Sequence, residues 1–141
     1  MKNITNGSML RRSSAQVDQS NNGSIAVKNP VQEKSYAFAV DIVKFCWKIQ
    51  KEKKEYILTK QLIKSGTSVG ANIEEAQRPQ SRADFISKMS IALKEAYESR
   101  FWLRLMRDTG LASVSDINPR LTNLEHVIRL LGAITSSSRK K

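Results

Sequence analysis

From Pro30 onward, the apolar residues recur at spacings of three and four, which is the period of a helix that buries one face. Nowhere in this part do apolar and polar residues alternate as they do in a half-buried strand, and no Asn-Gly or Asp-Gly pair separates two apolar runs. Four helical segments follow one another, and the pattern predicts an all-α domain.

The first predicted helix runs from about Val31 to Lys53 and carries apolar residues on two sides. One set consists of Tyr36, Ala39, Val40, Val43 and Trp47, and the other of Phe38, Ile42, Phe45 and Ile49. A helix that is apolar around most of its circumference has to be covered on two sides. A four-helix monomer covers one of them, so the pattern also predicts a partner subunit.

The second and third helices are delimited by their start and stop signals. The second begins within residues 56–59 and ends before Pro79, whose ring opposes a helical conformation. Ser81 with Asp84 three positions later resembles a capping box, which opens the third helix. That helix ends near Gly110, the predicted left-handed residue.

The fourth helix begins around Ser115 or Asp116, or at Pro119 if the proline occupies the first turn. Short connections between long helices favour antiparallel neighbours, so residues 30–135 are predicted to form an up-down-up-down antiparallel four-helix bundle.

Both ends of the chain are polar. Residues 1–29 contain too little regularly spaced apolar content to offset the entropy of ordering them, and they are predicted to be a disordered polar and basic arm. Residues 136–141 are predicted to be a frayed basic tail. The sequence therefore predicts a single folded domain between two polar ends.

The stretch SGTSVGANIEEA, residues 65–76, sets two glycines among helix formers. A phosphate-binding P-loop needs two glycines separated by four residues and followed by lysine, whereas Gly66 and Gly70 are separated by three. Because the apolar stripe of the helix continues through the stretch, the two glycines are predicted to let another backbone approach closely, within the bundle or between subunits. Asn72 belongs to a polar line that must be hydrogen-bonded if it is buried.

The charge of the chain points to polyanions. Lys and Arg number 24 against 13 Asp and Glu, which gives a net charge of +11. The first 29 residues carry +3 of this, which leaves +8 on the rest. A field of this sign attracts nucleic acid or an anionic membrane, and the apolar faces already committed to the bundle argue against the membrane.

Two rows of cations share the spacing i, i+4, i+7, and further lysines surround the junction of the first two helices. The rows are Lys44, Lys48 and Lys51, and Arg100, Arg104 and Arg107; the junction residues are Lys53, Lys54, Lys60 and Lys64. Such rows suit phosphate contacts, and the alternative is a solvated face that keeps the protein in solution. These ten residues are the candidate nucleic-acid-binding residues.

Aromatic residues offer a second kind of contact. Trp47, Trp102, Tyr97 and Phe101 could stack bases, but their helical spacing favours packing in the core or at a subunit interface. Trp102 stands between Arg100 and Arg104 in the sequence, a position that could place it at the rim of a basic surface.

Several kinds of chemistry are disfavoured. A single cysteine and a single histidine offer no internal disulfide and no histidine-rich metal site, and no glutamate is followed by histidine three positions later. No apolar run approaches the roughly 18 residues that a membrane helix needs, and the N-terminal residues do not resemble a signal peptide. The sequence predicts a cytoplasmic, non-enzymatic protein with no cofactor, no metal and no catalytic residues.

Four blocks of the sequence resemble a known family: KSYAFAVDIVKF, LTKQLIKSGTSVGANIEEAQ, ADFISKMSIALKEAYESRFWLRLM and DTG. They are similar to the four-helix-bundle proteins encoded in intervening sequences of bacterial large-subunit (23S) rRNA genes, over residues 33–131. Relatives of that family include the accessory variability proteins of diversity-generating retroelements. The resemblance implies a homopentamer and, from the retroelement relatives, a basic surface that binds nucleic acid and a reverse transcriptase. The long polar arm departs from the family pattern.

Together these observations predict a basic, oligomeric bundle that binds structured nucleic acid, either RNA or an RNA–DNA hybrid. An accessory role beside a reverse transcriptase or another nucleic-acid enzyme is part of this hypothesis. The alternative is a structural hub for protein–protein interaction whose charge has no direct nucleic-acid role. A nuclease is disfavoured by the absence of a histidine or metal constellation from the sequence.

Overall fold

The computed structural model describes residues 29–140, which form four helices and no strand. The helices are α1 (Pro30–Lys53), α2 (Leu58–Ala76), α3 (Arg82–Asp108) and α4 (Val114–Arg139). Each packs on the next, and α4 returns to α1, so the short connections produce an up-down-up-down bundle. The predicted all-α bundle is confirmed. The predicted arm lies outside the described residues except for Asn29.

Side-chain caps begin three of the helices. The side chain of Asn29 accepts a hydrogen bond from the backbone of α1, and Ser81 and Ser113 do the same for α3 and α4. Such caps satisfy N–H groups that have no partner within the helix. Gly110 follows α3 with a φ of +79°, so the capping residue and the stop predicted for α3 are both confirmed.

Helix α4 is longer than predicted at both ends. It begins at Val114, so Pro119 lies inside the helix and does not open it. At the other end the helix continues to Arg139, although the sequence predicts a frayed tail from residue 136. Contacts with α3 hold this last turn, because the Arg139 guanidinium donates to the Ser90 hydroxyl at 3.0 Å and Arg82 donates to the backbone at the end of α4.

All four helices contribute to a single core. Its largest fully buried side chains include Ile42, Leu62, Ile73, Met89, Leu103, Met106, Ile117, Leu124 and Leu131. Burial of such side chains contributes about 1.5–3 kcal/mol each, relative to exposure. The core covers the side of α1 that carries Ile42 and leaves the side that carries Trp47 exposed.

The two glycines of α2 lie where α1 and α2 approach each other. A Cβ atom on Gly66 would come within 3.0 Å of Ile42 Cγ2, and one on Gly70 within 3.5 Å of the Ser35 carbonyl oxygen. The close approach is therefore within one chain, one of the two placements that the sequence left open. Asn72, which is half-buried, donates to a carbonyl of its own helix and does not bridge to another.

Candidate nucleic-acid interface

The loop between α1 and α2 has a defined conformation. Lys54 ends α1 with a left-handed φ of 56°, and its N–H donates to the carbonyl of Gln50 at 3.0 Å. The carboxylate of Glu55 then accepts three backbone N–H groups at the start of α2. The donors are Ile57 at 2.9 Å, Leu58 at 2.7 Å and Thr59 at 3.1 Å. Both sides of the loop are thus held by hydrogen bonds.

The hydrogen bonds on Glu55 also set its charge state. Partial burial raises the pKa of this carboxyl, whereas the hydrogen bonds from the backbone N–H groups of α2 lower it. Together the hydrogen bonds outweigh burial, so the pKa lies below its usual value. The anion stands at the positive end of the α2 dipole, which offsets its charge. The carboxylate is therefore ionised at neutral pH, and its oxygens accept hydrogen bonds from the start of α2.

Residues 44–64 form a strongly basic segment, with seven lysines against two glutamates. All seven are exposed: Lys44, Lys48, Lys51, Lys53, Lys54, Lys60 and Lys64. Within residues 29–140, none of them has a carboxylate oxygen within 4.0 Å. Their charges are therefore available to an external anion.

The arginine row on α3 is largely engaged within the protein. Arg100 pairs with Glu125 at 3.1 Å and lies over the ring of Tyr97 at 4.8 Å. Arg107 pairs with Asp108 at 2.8 Å, and this interaction lowers the pKa of the aspartate. Arg104 is exposed and forms no ion pair in the part of the chain that the structure describes. Two of the three predicted arginines thus serve intramolecular contacts.

Most of the candidate cations lie near one end of the bundle. Because neighbouring helices are antiparallel, α1 ends where α2 begins, and α3 ends where α4 begins, at the same end. We call this the loop end; it contains residues 54–57 and 109–113. Lys48 and Lys53 line a cleft of about 300 Å³ with the second of these loops.

The buried hydroxyl of Ser99 donates to that of Ser65 at 2.9 Å. These two residues therefore lie at the same height along α3 and α2. Lys60 and Arg104 both lie beyond this pair toward the loop end. The structure therefore brings cations of α1, α2 and α3 to one end, whereas Lys44 and Arg100 lie further along the bundle.

Two residues at this end were missed by the sequence reasoning. Tyr56 is 55% exposed and Ile57 is 77% exposed, side by side in the loop between α1 and α2. The available signal was the run KEKKEYI, in which an aromatic and an aliphatic residue follow lysines at the end of a predicted helix. The loop end therefore presents apolar surface as well as charge.

The two tryptophans differ in their surroundings. Trp102 is half-buried, donates its ring N–H to Glu98 at 3.0 Å and meets Phe101 edge to face. The guanidinium of its sequence neighbour Arg100 lies over Tyr97, and the rim position of Trp102 stays a prediction. Trp47 is 62% exposed on the outer face of α1.

That outer face of α1 is apolar and open. Tyr36, Val40 and Trp47 are exposed on it, and a groove of about 710 Å³ runs between this face and α2. The sequence predicted two apolar sides for α1, and the bundle buries one of them. The second side is available for another molecule.

The four-helix fold agrees with the comparisons to known proteins. Residues 27–133 match the family described as 23S rRNA-intervening sequence protein. The chain belongs to this family. It is also similar to a solved structure, a protein with unknown function from the S23 ribosomal protein family of Bacteroides thetaiotaomicron VPI-5482. The two are 43% identical, the alignment covers 74% of this chain and 97% of the other, and the TM-score is 0.73. Comparison with curated proteins gives no match.

The family match contains every candidate cation, since these lie between residues 44 and 107, and it leaves out residues 1–26 of the polar arm. The basic loop end is therefore part of the family domain in this chain.

Reactive groups are sparse in this family member. Cys46 is fully buried, and burial raises the pKa of its thiol to about 12, so the reactive thiolate is scarce at neutral pH. Residues 29–140 contain no cluster of three or more His, Cys, Asp or Glu side chains that could hold a metal ion. In the same range, no helix is both long enough and apolar enough to cross a membrane.

Proposed function

We propose that the protein is a non-enzymatic, self-associating bundle that binds structured nucleic acid, RNA or an RNA–DNA hybrid, through the loop end and the adjoining lysine row of α1. The observation that carries the proposal is the basic segment of residues 44–64, whose seven lysines are exposed and have no carboxylate within 4.0 Å in the described part of the chain. Cations in this state bind phosphates and release the counterions condensed on them.

The dimensions of the lysine row support this function. Lys44, Lys48 and Lys51 rise about 10 Å along α1, at about 1.5 Å per residue. Each strand of a duplex carries one phosphate charge per about 3.4 Å of the duplex axis. The row is therefore long enough to face more than one phosphate, and the lysines of the loop extend it.

Self-association is the second part of the proposal. The open apolar face of α1, with Tyr36 and Trp47, supports contact with another copy of the chain. The homopentamer rests on the resemblance to relatives. A ring of five copies would repeat the loop end and raise the apparent affinity by avidity. Light scattering at micromolar concentration tests this part, and a stable monomer would contradict it.

An accessory role beside a reverse transcriptase or another nucleic-acid enzyme completes the proposal. Its support is the resemblance to accessory variability proteins of retroelements. The test is purification of the tagged protein from cells that express the neighbouring genes of its source genome. We expect a polymerase to be recovered in stoichiometric amount. Repeated failure to recover one would contradict the accessory role and leave the other parts of the proposal unaffected.

The nucleic-acid function is tested by titrating the full-length protein with labelled structured RNA, an RNA–DNA hybrid, duplex DNA and single strands. Each titration is repeated over a salt series. We expect the logarithm of the affinity to fall linearly and steeply with the logarithm of salt concentration. Weak binding of every ligand at moderate salt would contradict the proposal.

A protein-interaction hub is the second candidate function, and the open groove beside α1 is the observation that favours it. A hub would be indifferent to salt in these titrations and to reversal of the lysine charges. The same experiment therefore separates the two candidates.

A further inference from the structure

The loop between α1 and α2 exposes two adjacent large side chains. Tyr56 is 55% exposed and Ile57 is 77% exposed, although the bundle has a continuous apolar core nearby. Leaving such surface in water forgoes the free energy of burying it. An aromatic ring next to an aliphatic side chain at the tip of a loop is therefore a candidate contact surface.

The loop holds these side chains on a rigid support. Lys54 is fixed in its left-handed conformation by the hydrogen bond to Gln50, and Glu55 is fixed by three backbone N–H groups of α2. The side chain of Gln50 also donates to the hydroxyl of Thr59 at 3.0 Å, which ties the end of α1 to the start of α2. A preorganised loop loses little entropy when Tyr56 binds a partner.

The charges around the ring define that partner. Lys53 and Lys54 precede Tyr56, Lys60 follows it by about one helical turn, and all three lysines are exposed. The intervening carboxylate of Glu55 is turned to the start of α2. Exposed lysines thus precede and follow the ring along the chain, and an aromatic ring together with such cations binds single-stranded nucleic acid elsewhere.

Resting on the proposed function, we infer that Tyr56 stacks on an unpaired nucleobase while the surrounding lysines hold the phosphates on either side. Ile57 provides apolar surface for the adjoining sugar or base. The ligand class is an unpaired segment of nucleic acid, such as a loop, a bulge or a single-stranded end.

The geometry of stacking explains why the ligand has to contain unpaired bases. In a duplex, each base face is covered by its neighbours, so a protein ring reaches only the phosphates and groove edges. In a loop or at an end, bases can leave the stack and lie on an aromatic side chain. Because every base has a π face, the contact tolerates any sequence. Tyr56 thus turns general attraction for polyanions into a preference for unpaired nucleotides.

The test compares the full-length protein with Tyr56→Ala and Tyr56→Phe, and uses Tyr97→Ala as a control at an exposed tyrosine away from the loop end. Fluorescence anisotropy is measured with a labelled single-stranded RNA, the DNA strand of the same sequence and the blunt duplex. We expect Tyr56→Ala to weaken binding of both single strands about tenfold and binding of the duplex less than about twofold. Tyr56→Phe and Tyr97→Ala should bind as the unsubstituted protein does.

A second readout reports stacking directly. A single strand that contains 2-aminopurine loses fluorescence when that base stacks on a ring, and we expect the loss with the unsubstituted protein and with Tyr56→Phe but not with Tyr56→Ala. Circular dichroism checks that each variant is folded.

The outcomes separate this inference from the function on which it rests. If the unsubstituted protein binds none of the ligands, the proposed function fails. If it binds and Tyr56→Ala binds single strands equally well, the stacking inference is overturned and the proposed function stands. An equal loss for the single strands and the duplex, or an equal loss with Tyr97→Ala, would also overturn it.

Discussion

The two helical hairpins of the bundle treat their cations in opposite ways. Every cation that forms an ion pair within residues 29–140 belongs to α3 or α4: Lys88, Arg100, Arg107 and Arg120. No lysine of α1, of α2 or of the loop between them has an ion-pair partner in that range. The cationic rows on α1 and α3 nevertheless have the same spacing in the sequence.

The spacing of the cations therefore defines a face of the helix, whereas the neighbouring carboxylates decide whether the charge of that face is available. Arg120 shows the internal use most clearly: Nε and Nη2 lie 2.9 and 3.0 Å from the two carboxylate oxygens of Asp41, and the guanidinium lies 4.1 Å over the ring of Phe45. Arginine suits such two-pronged contacts, whereas lysine is a hydrated point charge on a flexible chain. The α3–α4 hairpin uses four of its cations in ion pairs within the protein, and the α1–α2 hairpin offers its charge to solvent.

The largest effect on binding is expected when three charges of the loop end are reversed. We expect the combination of Lys53→Glu, Lys54→Glu and Lys60→Glu to weaken nucleic-acid binding by more than about 100-fold near physiological salt. The slope of log affinity against log salt should also fall by about three, since about three phosphate contacts are lost. Anisotropy titrations over a salt series measure both.

The matched control reverses three exposed cations outside that hairpin: Lys94, Arg129 and Lys140. It changes the net charge by the same amount, and we expect it to weaken binding less than about tenfold. Equal losses for the two variants would show that net charge alone drives binding, and the distinction between the hairpins would fail.

The second prediction concerns the interior of the α1–α2 hairpin. We expect Gly66→Ala to destabilise the bundle by about 1–3 kcal/mol, because the added Cβ meets Ile42 Cγ2 at 3.0 Å in a packed core. Gly70→Ala is its control, since the new Cβ would make an ordinary contact with Ser35 at 3.5 Å. Alanine's higher helix propensity, worth up to about 1 kcal/mol, favours this second variant.

Denaturant unfolding followed by circular dichroism measures both glycine variants. The expected order of stability is Gly70→Ala at or above the unsubstituted protein and Gly66→Ala below it. The reverse order would mean that α1 and α2 approach each other at a different level of the hairpin.

Much of this fold was predictable because the signals are local. Apolar spacing and the signals at Pro79, Ser81 and Gly110 predicted the four helices and their direction. Pro119 does not mark the start of α4, because the cap at Ser113 begins that helix earlier. The last turn of α4 was mispredicted, since the contact of Arg139 with Ser90 spans 49 positions in the sequence.

The candidate site was predictable only in part, because its contacts are not encoded in the local spacing of residues. Exposure of the α1 lysines follows from their place on a helix face, but the engagement of Arg100 depends on Glu125 of another helix. Tyr56 and Glu55 were missed because their roles arise from the loop's hydrogen bonds, which no periodicity encodes.

The third prediction tests the rigidity of that loop. We expect Glu55→Ala to destabilise the bundle by about 1 kcal/mol at neutral pH, as the loss of a helix cap does. Folding lowers the pKa of Glu55. The carboxylate therefore contributes fully to stability above the usual pKa of glutamate, and this contribution is lost as the pH falls through the lowered pKa of the folded protein.

Thermal unfolding of both proteins over a pH series measures this contribution. The difference in stability should be constant near neutral pH and shrink in acid. A difference that persists unchanged in acid would show that the loop is held by something other than the charged carboxylate.

The smallest expected effects compare one cation from each row. Arg100→Met removes the pair with Glu125. Because both side chains are more than a third exposed, we expect a loss of no more than about 0.5–1 kcal/mol. Lys51→Met removes a charge with no ion-pair partner in the described range, so stability should not change measurably. Affinity for nucleic acid should respond in the opposite order, since only the lysine is free to bind phosphate.

A double-mutant cycle with Glu125→Gln isolates the energy of the pair between Arg100 and Glu125. If that energy is zero and Arg100→Met weakens binding at least as much as Lys51→Met, the arginine row is as available as the lysine row, and the α3–α4 hairpin belongs to the nucleic-acid interface as well.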